Sequence, residues 1–279
     1  MSEVRSKPLI KFLRARLLLD DARSVLRGWY FRFSKIRKVE EPAAHNECVL
    51  SEINIQMKWR EDLQEVNHSR FHNMGLGCEL VNQVIVRPGE VFSLRRYFKG
   101  TTEEQGFRRG PMFVRGRIEY VVGGGACLIS TLLFNAALQA NLAILEKHNH
   151  STDLWGEERF IGLGLDATYL YGRKDLKFEN THGADIRIEI EFSRNDLMLH
   201  CRLVSSKPLP YTVSVASEVL QELHPEDAES SIDPSDDPRP YRKGWVVRTV
   251  RSAGIGELPY TKKNYVKKEI YKPFYLSKP

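Results

Sequence analysis

A cysteine follows three glycines where the sequence changes from a strand pattern to a helix pattern. Tyr120-Val121-Val122 is strand-like, Gly123-Gly124-Gly125 follows, and Cys127 lies in the first turn of a long apolar stretch. A helix N-terminus carries free backbone N–H groups and partial positive charge, which lower the pKa of a thiol. Glycines there permit unusual backbone angles and close approach by a ligand. Cys127 is therefore a candidate nucleophile; the competing interpretation is a small buried cysteine behind a turn.

Residues that could activate this thiol follow it in the chain. His148 and His150 come shortly after the apolar stretch, and Asp166 lies further on. The order Cys, His, Asp can supply a nucleophile, a general base and a group that orients the base. Backbone N–H groups near Cys127 would stabilise an oxyanion. This set indicates acyl transfer or amide hydrolysis, with either histidine as the base.

A binding site without catalysis is the alternative for the same segment. The turn at Gly123, Gly124 and Gly125 and the helix N-terminus could hold the carboxylate or phosphate of a small molecule. Ser130 and Asn135 lie further along the same helix. A polar Asn135 in an apolar helix needs a hydrogen-bond partner, so it could orient a ligand or brace the fold.

The spacing of potential metal ligands gives little support for a metal centre. His68 and His72 could share a helix face, but two histidines alone are a poor zinc signal. Four residues of suitable type could also form a site, namely Cys127, His148, His150 and Asp166. No closely spaced pair supports that site, so we expect no metal and no cofactor. The four cysteines are widely spaced, which favours reduced thiols over disulfides or a zinc finger.

Composition is typical of a soluble globular protein. The 279 residues are 42% hydrophobic and 28% charged, and no apolar run reaches the 18 or so residues that span a membrane. The N-terminal segment lacks the uninterrupted apolar core of a secretory signal, so we expect a cytoplasmic protein. A net charge of +6 favours anionic partners. No recognised motif indicates nucleic-acid binding.

The N-terminal segment has the pattern of a basic helix. Apolar residues recur at helical spacing between lysines and arginines from Lys7 to Arg37. Such a helix could lie on an anionic membrane surface or dock on the protein's own core. We expect docking, with peripheral membrane contact as the alternative.

The elements around the glycine turn predict an α+β fold. A buried central helix from Ala126 to about Glu146 should pack on a mainly antiparallel sheet, since residues 186–192 alternate apolar and polar side chains. A basic helical region precedes this core and a β-rich region follows it. The predicted organisation is a basic helical region and linker (1–47), an α+β domain (48–221), an acidic Pro/Ser-rich loop (222–243) and a β-hairpin extension (244–279).

Several motifs, taken in order, resemble the VanW family, an accessory family of vancomycin-resistance clusters. They lie between about Val86 and Val204: Arg87-Pro88-Gly89-Glu90-Val91-Phe92-Ser93, Gly123-Gly124-Gly125-Ala126-Cys127, Ser130-Thr131-Leu132, Asn135-Ala136-Ala137-Leu138, Glu146-Lys147-His148-Asn149-His150-Ser151 and Asp166-Ala167-Thr168. Tyr271-Lys272-Pro273 also resembles the tail of such proteins. The resemblance implies a link to the bacterial envelope and, for a catalyst, a peptidoglycan-like peptide as substrate.

Two positions depart from the family pattern. Leu128 stands where a Gln commonly follows the cysteine, and Leu165 where an Arg commonly precedes the aspartate. If that Gln stabilises an oxyanion, its absence argues against full activity. The missing Arg weakens any carried-over role in binding an anion.

Overall fold

The computed structural model describes residues 7–35, 47–59, 61, 64–114, 117–153, 155–225, 241–254 and 262–275. The helices are α1 (Lys7–Leu26), α2 (Gln64–Val81), α3 (Leu94–Phe98) and α4 (Ala126–Gln139), with short 3₁₀ turns at Tyr30–Arg32, Glu103–Gln105 and Gly156–Glu158. The strands are β1 (Cys48–Gln56), β2 (Ile85–Val86), β3 (Val91–Ser93), β4 (Arg109–Val114), β5 (Arg117–Val122), β6 (Ala143–Glu146), β7 (Lys177–Glu179), β8 (Ile186–Ser193), β9 (Met198–Ser205), β10 (Thr212–Leu223), β11 (Tyr241–Arg242), β12 (Gly244–Gly254), β13 (Lys262–Tyr271) and β14 (Phe274–Tyr275).

The predicted α+β class is confirmed. Helix α4 packs against β1 and β9 of an antiparallel sheet with strand order β1-β9-β8-β2, and α2 packs beside α4 and on β8. Ile129, Leu132 and Leu133 of α4 are fully buried in this core. A smaller antiparallel sheet, β3-β7-β6, lies near the end of α4. Strands β4 and β5 form an antiparallel pair that leads into the glycine turn.

The central helix ends earlier than the sequence predicts. It stops at Gln139, and residues Ala143–Glu146 form β6 instead of a last helical turn. Asn141 takes a left-handed conformation with φ of 56°, and the Leu142 N–H donates to the Ala137 carbonyl. This is the usual way in which a left-handed residue ends a helix. The apolar pattern continues past Gln139 because β6 is also partly buried. Hydrophobicity alone therefore does not reveal where the helix ends.

The C-terminal strands are tied closely to the central helix. The predicted hairpin forms as β12 and β13, and β10 pairs with β12 to complete a three-stranded sheet. Buried Arg251 of β12 donates to the carbonyls of Leu138 and Leu142 at 3.2 and 2.7 Å, which caps the C-terminal end of α4. The sequence predicts an acidic loop over residues 222–243, but the first two of these residues belong to β10, which continues to Leu223. Residues 226–240 of that loop lie outside the described residues.

The N-terminal helix docks through charged side chains. Asp20 accepts from the Lys177 ammonium at 2.8 Å, and Asp21 accepts from the Arg95 guanidinium at 2.5 Å. Lys177 is almost fully buried and also pairs with Glu146 at 2.8 Å. Docking was expected, although the contact combines ion pairs with apolar packing rather than apolar packing alone. No helix among the described residues is long and apolar enough to cross a membrane.

Replacing Lys177 with methionine should destabilise the protein by about 3–5 kcal/mol. The substitution keeps the length of the side chain but leaves the carboxylates of Asp20 and Glu146 without their buried cation. Urea unfolding followed by circular dichroism measures the loss. Lys268→Met, at an exposed position of β13, is the matched control. A loss below about 1 kcal/mol would contradict the importance of this cluster.

Candidate active site

The glycine turn positions Cys127 at the start of α4. Gly125, which directly precedes the helix, has φ of 104°, and a Cβ there would lie 3.2 Å from the Arg70 carbonyl oxygen. Gly123 has φ of 89°, and a Cβ would meet the Thr101 side chain at 2.7 Å. Both positions therefore require glycine. The turn directs the chain into the core so that Cys127 is half-buried rather than sealed.

An imidazole and a carboxylate meet beside this thiol. His150 Nδ1 donates to Asp166 Oδ2 at 2.6 Å, and the backbone N–H of His150 donates to the same oxygen at 2.7 Å. These two bonds fix the ring orientation and leave Nε2 as the nitrogen for the thiol. His150 is also close enough to Cys127 for each of the two side chains to shift the pKa of the other. The structure thus brings Cys127, His150 and Asp166 together.

The electrostatics of the three groups favour an ion pair. Burial raises the pKa of Cys127, but the hydrogen bond and charge of His150, with the Thr168 hydroxyl at 3.4 Å, outweigh it and lower the pKa to about 7. Burial likewise lowers the pKa of His150, yet Asp166 and Cys127 raise it to about 10. Burial opposes ionisation of Asp166, and His150 nevertheless lowers that pKa to about 2. A thiolate and an imidazolium therefore coexist between about pH 7 and pH 10.

The second oxygen of Asp166 is held from the C-terminal hairpin. The Tyr271 hydroxyl donates to Asp166 Oδ1 and accepts from the backbone N–H of Gly164 at 2.7 Å. Gly164 has φ of 81°, and a Cβ there would collide with the Thr249 hydroxyl. The last residue of β13 thus completes the environment of Asp166, although it lies far from Asp166 in the chain.

The other candidate base, His148, faces a different group. His148 Nε2 lies 3.0 Å from Glu146 Oε1, and Glu146 in turn pairs with Lys177. Of the two candidate bases, the geometry therefore favours His150. Their separation follows from the local backbone, because the His148 carbonyl accepts from Thr168 N–H at 2.8 Å while His150 turns toward Asp166.

The two polar helix residues have different surroundings. Asn135 donates to the Thr131 and Leu165 carbonyls, both at 2.7 Å. Thr131 exchanges hydrogen bonds with the backbone of Ala167. Asn135 thus braces the segment that carries Asp166 and has both amide hydrogens occupied, which leaves it no donor for a ligand. The Ser130 hydroxyl is fully buried and has no hydrogen-bond partner among the described residues.

The glycine turn is less open to an anion than its sequence indicates. The N–H groups of Gly123 and Gly124 donate to carbonyls of Arg108 and Val121 at 3.1 and 3.3 Å. The Ala126 and Leu128 N–H groups donate to the carbonyls of Gly123 and Gly125. Because these donors are engaged, the turn offers few N–H groups to a bound carboxylate or phosphate.

Three further residues of the site were not identified from the sequence. Tyr271 belongs to the tail motif and Thr168 to the Asp166-Ala167-Thr168 motif, but neither motif indicates a contact with the thiol site. Lys174 belongs to no motif. The Lys174 ammonium donates to the Asn149 carbonyl at 3.2 Å, and its charge interacts with Cys127 and Asp166, although burial lowers its pKa. Only the three-dimensional fold reveals such contacts, since each residue joins the site through its own loop or strand.

No cluster that could hold a metal ion occurs among the described residues. A separate cleft of about 1040 Å³ is lined by aromatic and charged side chains, among them Trp59, Trp155, Arg159 and Trp245. It does not include Cys127. The thiol site and this cleft are therefore distinct features.

Comparisons with known proteins agree with the motif order. Residues 69–202 match the family model described as VanW like protein. The chain contains a VanW-like domain. The match begins before the first motif at Arg87, so it also includes most of α2.

Two curated relatives share this VanW-like domain. The uncharacterized protein YoaR of Bacillus subtilis is 33% identical over 122 residues, which cover 44% of this chain and 39% of YoaR. The vancomycin B-type resistance protein VanW of Enterococcus faecalis is 29% identical over 113 residues, which cover 40% of this chain and 41% of that protein. The match thus spans about two fifths of either relative. No solved structure gives a significant match.

Alkylation of the VanW-like domain by iodoacetamide should be fastest at Cys127. Its rate should rise through about pH 7 as the thiolate forms, whereas burial holds the pKa values of Cys78 and Cys201 far above 9.0. Peptide mapping by mass spectrometry identifies the modified residue, and half-buried Cys48 is the internal control. His150→Asn should slow the reaction of Cys127 about tenfold at pH 7. A Cys127 that reacts no faster than Cys48 would contradict the ion pair.

Tyr271→Phe should lower stability by about 1–3 kcal/mol. The change removes the donor to Asp166 and the acceptor for the Gly164 N–H, both in a buried region. It should also slow alkylation of Cys127, though less than His150→Asn does. Chemical denaturation measures the first effect, with Tyr120→Phe at an exposed position as control. Equal stability of the two variants would rule out this supporting role of Tyr271.

Proposed function

We propose that the protein is a cysteine-dependent acyltransferase or amide hydrolase. The observation that carries this proposal is the position of His150, whose ring donates to Asp166 and whose charge lowers the pKa of Cys127. A reactive thiol needs a lowered pKa, a base within hydrogen-bond reach and a third group that orients the base. All three conditions are met by side chains of the described chain.

Access to the thiol supports a catalytic role over a structural one. Cys127 and His150 are both half-buried, so a substrate could reach them from solvent. The fully buried cysteines, Cys78 and Cys201, have pKa values raised by burial instead. The pKa of Cys127, by contrast, is lowered.

The proposed reaction proceeds through a thioester. The Cys127 thiolate attacks the acyl carbon, and the resulting oxyanion is stabilised by the positive end of the α4 dipole and by the nearby Lys174 charge. The oxyanion then re-forms the carbonyl as the C–N bond breaks, which leaves the acyl group on Cys127, and the His150 imidazolium gives its proton to the leaving amine. Water or an acceptor amine then attacks the thioester while neutral His150 takes its proton. Breakage of the C–S bond releases the product and restores the thiolate and the imidazolium.

The substrate class follows from the relatives and is part of the proposal. The name of the Enterococcus faecalis relative links that protein to vancomycin resistance. We extend this link to the present chain as an envelope role, with peptidoglycan-like peptides as acyl donors. Because Leu128 stands in place of the family's glutamine, no side-chain amide at that position can stabilise the oxyanion.

Turnover of a stem-peptide thioester or amide should depend on Cys127. Intact-mass spectrometry should detect a covalent acyl adduct in the wild type, and peptide mapping should locate it at Cys127. Cys127→Ser and His150→Asn should each reduce product release by at least about a thousandfold. Cys48→Ser is the matched control and should retain full activity.

The same variants separate catalysis from binding. If the protein only binds the peptide, Cys127→Ser keeps the wild-type affinity and no adduct forms with any variant. Product release that survives Cys127→Ala would contradict the proposed nucleophile. Calorimetric titration with the same peptide distinguishes these outcomes.

A further inference from the structure

Helix α1 presents its apolar side to solvent. Leu18, Leu19 and Leu26 are 69%, 58% and 87% exposed, and Val25 is also exposed. At about 100° per residue these four side chains fall within roughly 120° of the helix circumference. An exposed apolar stripe of this kind marks an interaction surface more often than a solvated face.

The inner side of the same helix already packs against the protein through both polar and apolar side chains. Asp20 and Asp21 point inward to Lys177 and Arg95, and Ser24 is buried. Leu13 packs toward Gly172. The acidic groups thus face the protein together with Leu13, while Leu18, Leu19 and Leu26 face outward.

Arginines border the apolar stripe on both sides. By helical position Arg14 lies at one edge and Arg23 at the other, while Arg27 lies further round the helix. Within the described residues, neither Arg14 nor Arg23 forms an ion pair with a carboxylate, and Arg27 stacks on the Trp29 ring. Because the two aspartates are neutralised inside, the charge that α1 presents outward is basic.

We propose that the outer face of α1 binds an anionic membrane surface. Leucine side chains would enter the boundary between headgroups and acyl chains, and the flanking arginines would contact anionic headgroups. The charge of the border favours this occupant over a second copy of the chain, because two such faces would bring arginines against arginines. The ion pairs of Asp20 and Asp21 hold the helix flat against the protein, which leaves the stripe available.

Vesicle co-sedimentation of the full chain tests this proposal. The wild type should sediment with vesicles of equal phosphatidylglycerol and phosphatidylcholine but not with pure phosphatidylcholine, and added salt should weaken binding. Leu18→Gln with Leu26→Gln should reduce the partition coefficient at least about tenfold. Arg14→Gln with Arg23→Gln should reduce it by about the same factor.

A matched control removes two exposed apolar side chains elsewhere. Val219→Gln with Val266→Gln, on β10 and β13, should bind like the wild type. Circular dichroism of each variant checks that α1 and the body remain folded.

Three results would overturn the proposal. The first is wild-type protein that stays in the supernatant with anionic vesicles or binds neutral vesicles equally. The second is unchanged binding by both α1 double variants. The third is a dimer in sedimentation equilibrium that Leu18→Gln with Leu26→Gln dissociates, which would assign the face to a second copy.

Discussion

The carboxylate of Asp166 is the group on which the site depends. It accepts from the side chain and the backbone of His150, and from the hydroxyl of Tyr271. These donors come from the loop after β6 and from the end of β13, so one carboxylate joins two distant parts of the chain. Its negative charge keeps the His150 ring protonated, and the protonated ring in turn lowers the pKa of the Cys127 thiol. Loss of the carboxylate would remove these hydrogen bonds and the negative charge that keeps the His150 ring protonated.

Helix α4 links this chemistry to the fold. Its first turn carries Cys127, while Thr131 and Asn135 bind the backbone of Ala167 and Leu165, on either side of Asp166. Its C-terminal carbonyls accept from Arg251 of the C-terminal sheet. The helix is buried on nearly every side, so these contacts hold the nucleophile and the carboxylate in a fixed relation. The VanW-like domain and the C-terminal strands therefore act as one structural unit around the thiol.

Much of this arrangement could be predicted from local pattern. The glycine turn and apolar helix located Cys127, and alternation predicted β8. Local pattern could not choose between His148 and His150, because hydrogen bonds to distant segments decide which way each ring turns. Nor could it reveal the end of α4, since a left-handed Asn141 ends the helix within a continuous apolar run. The partnership of Tyr271 with Asp166 depends on strand pairing far along the chain.

The protonation state of His150 tests the central claim most directly. Nitrogen NMR of labelled imidazole, followed as the pH is raised, should show an imidazolium that persists to about pH 10 in the wild type. The titration should move to lower pH in Cys127→Ala, because the thiolate no longer stabilises the positive charge. A wild-type His150 that titrates near its ordinary value of 6.5, unaffected by that substitution, would contradict the ion pair.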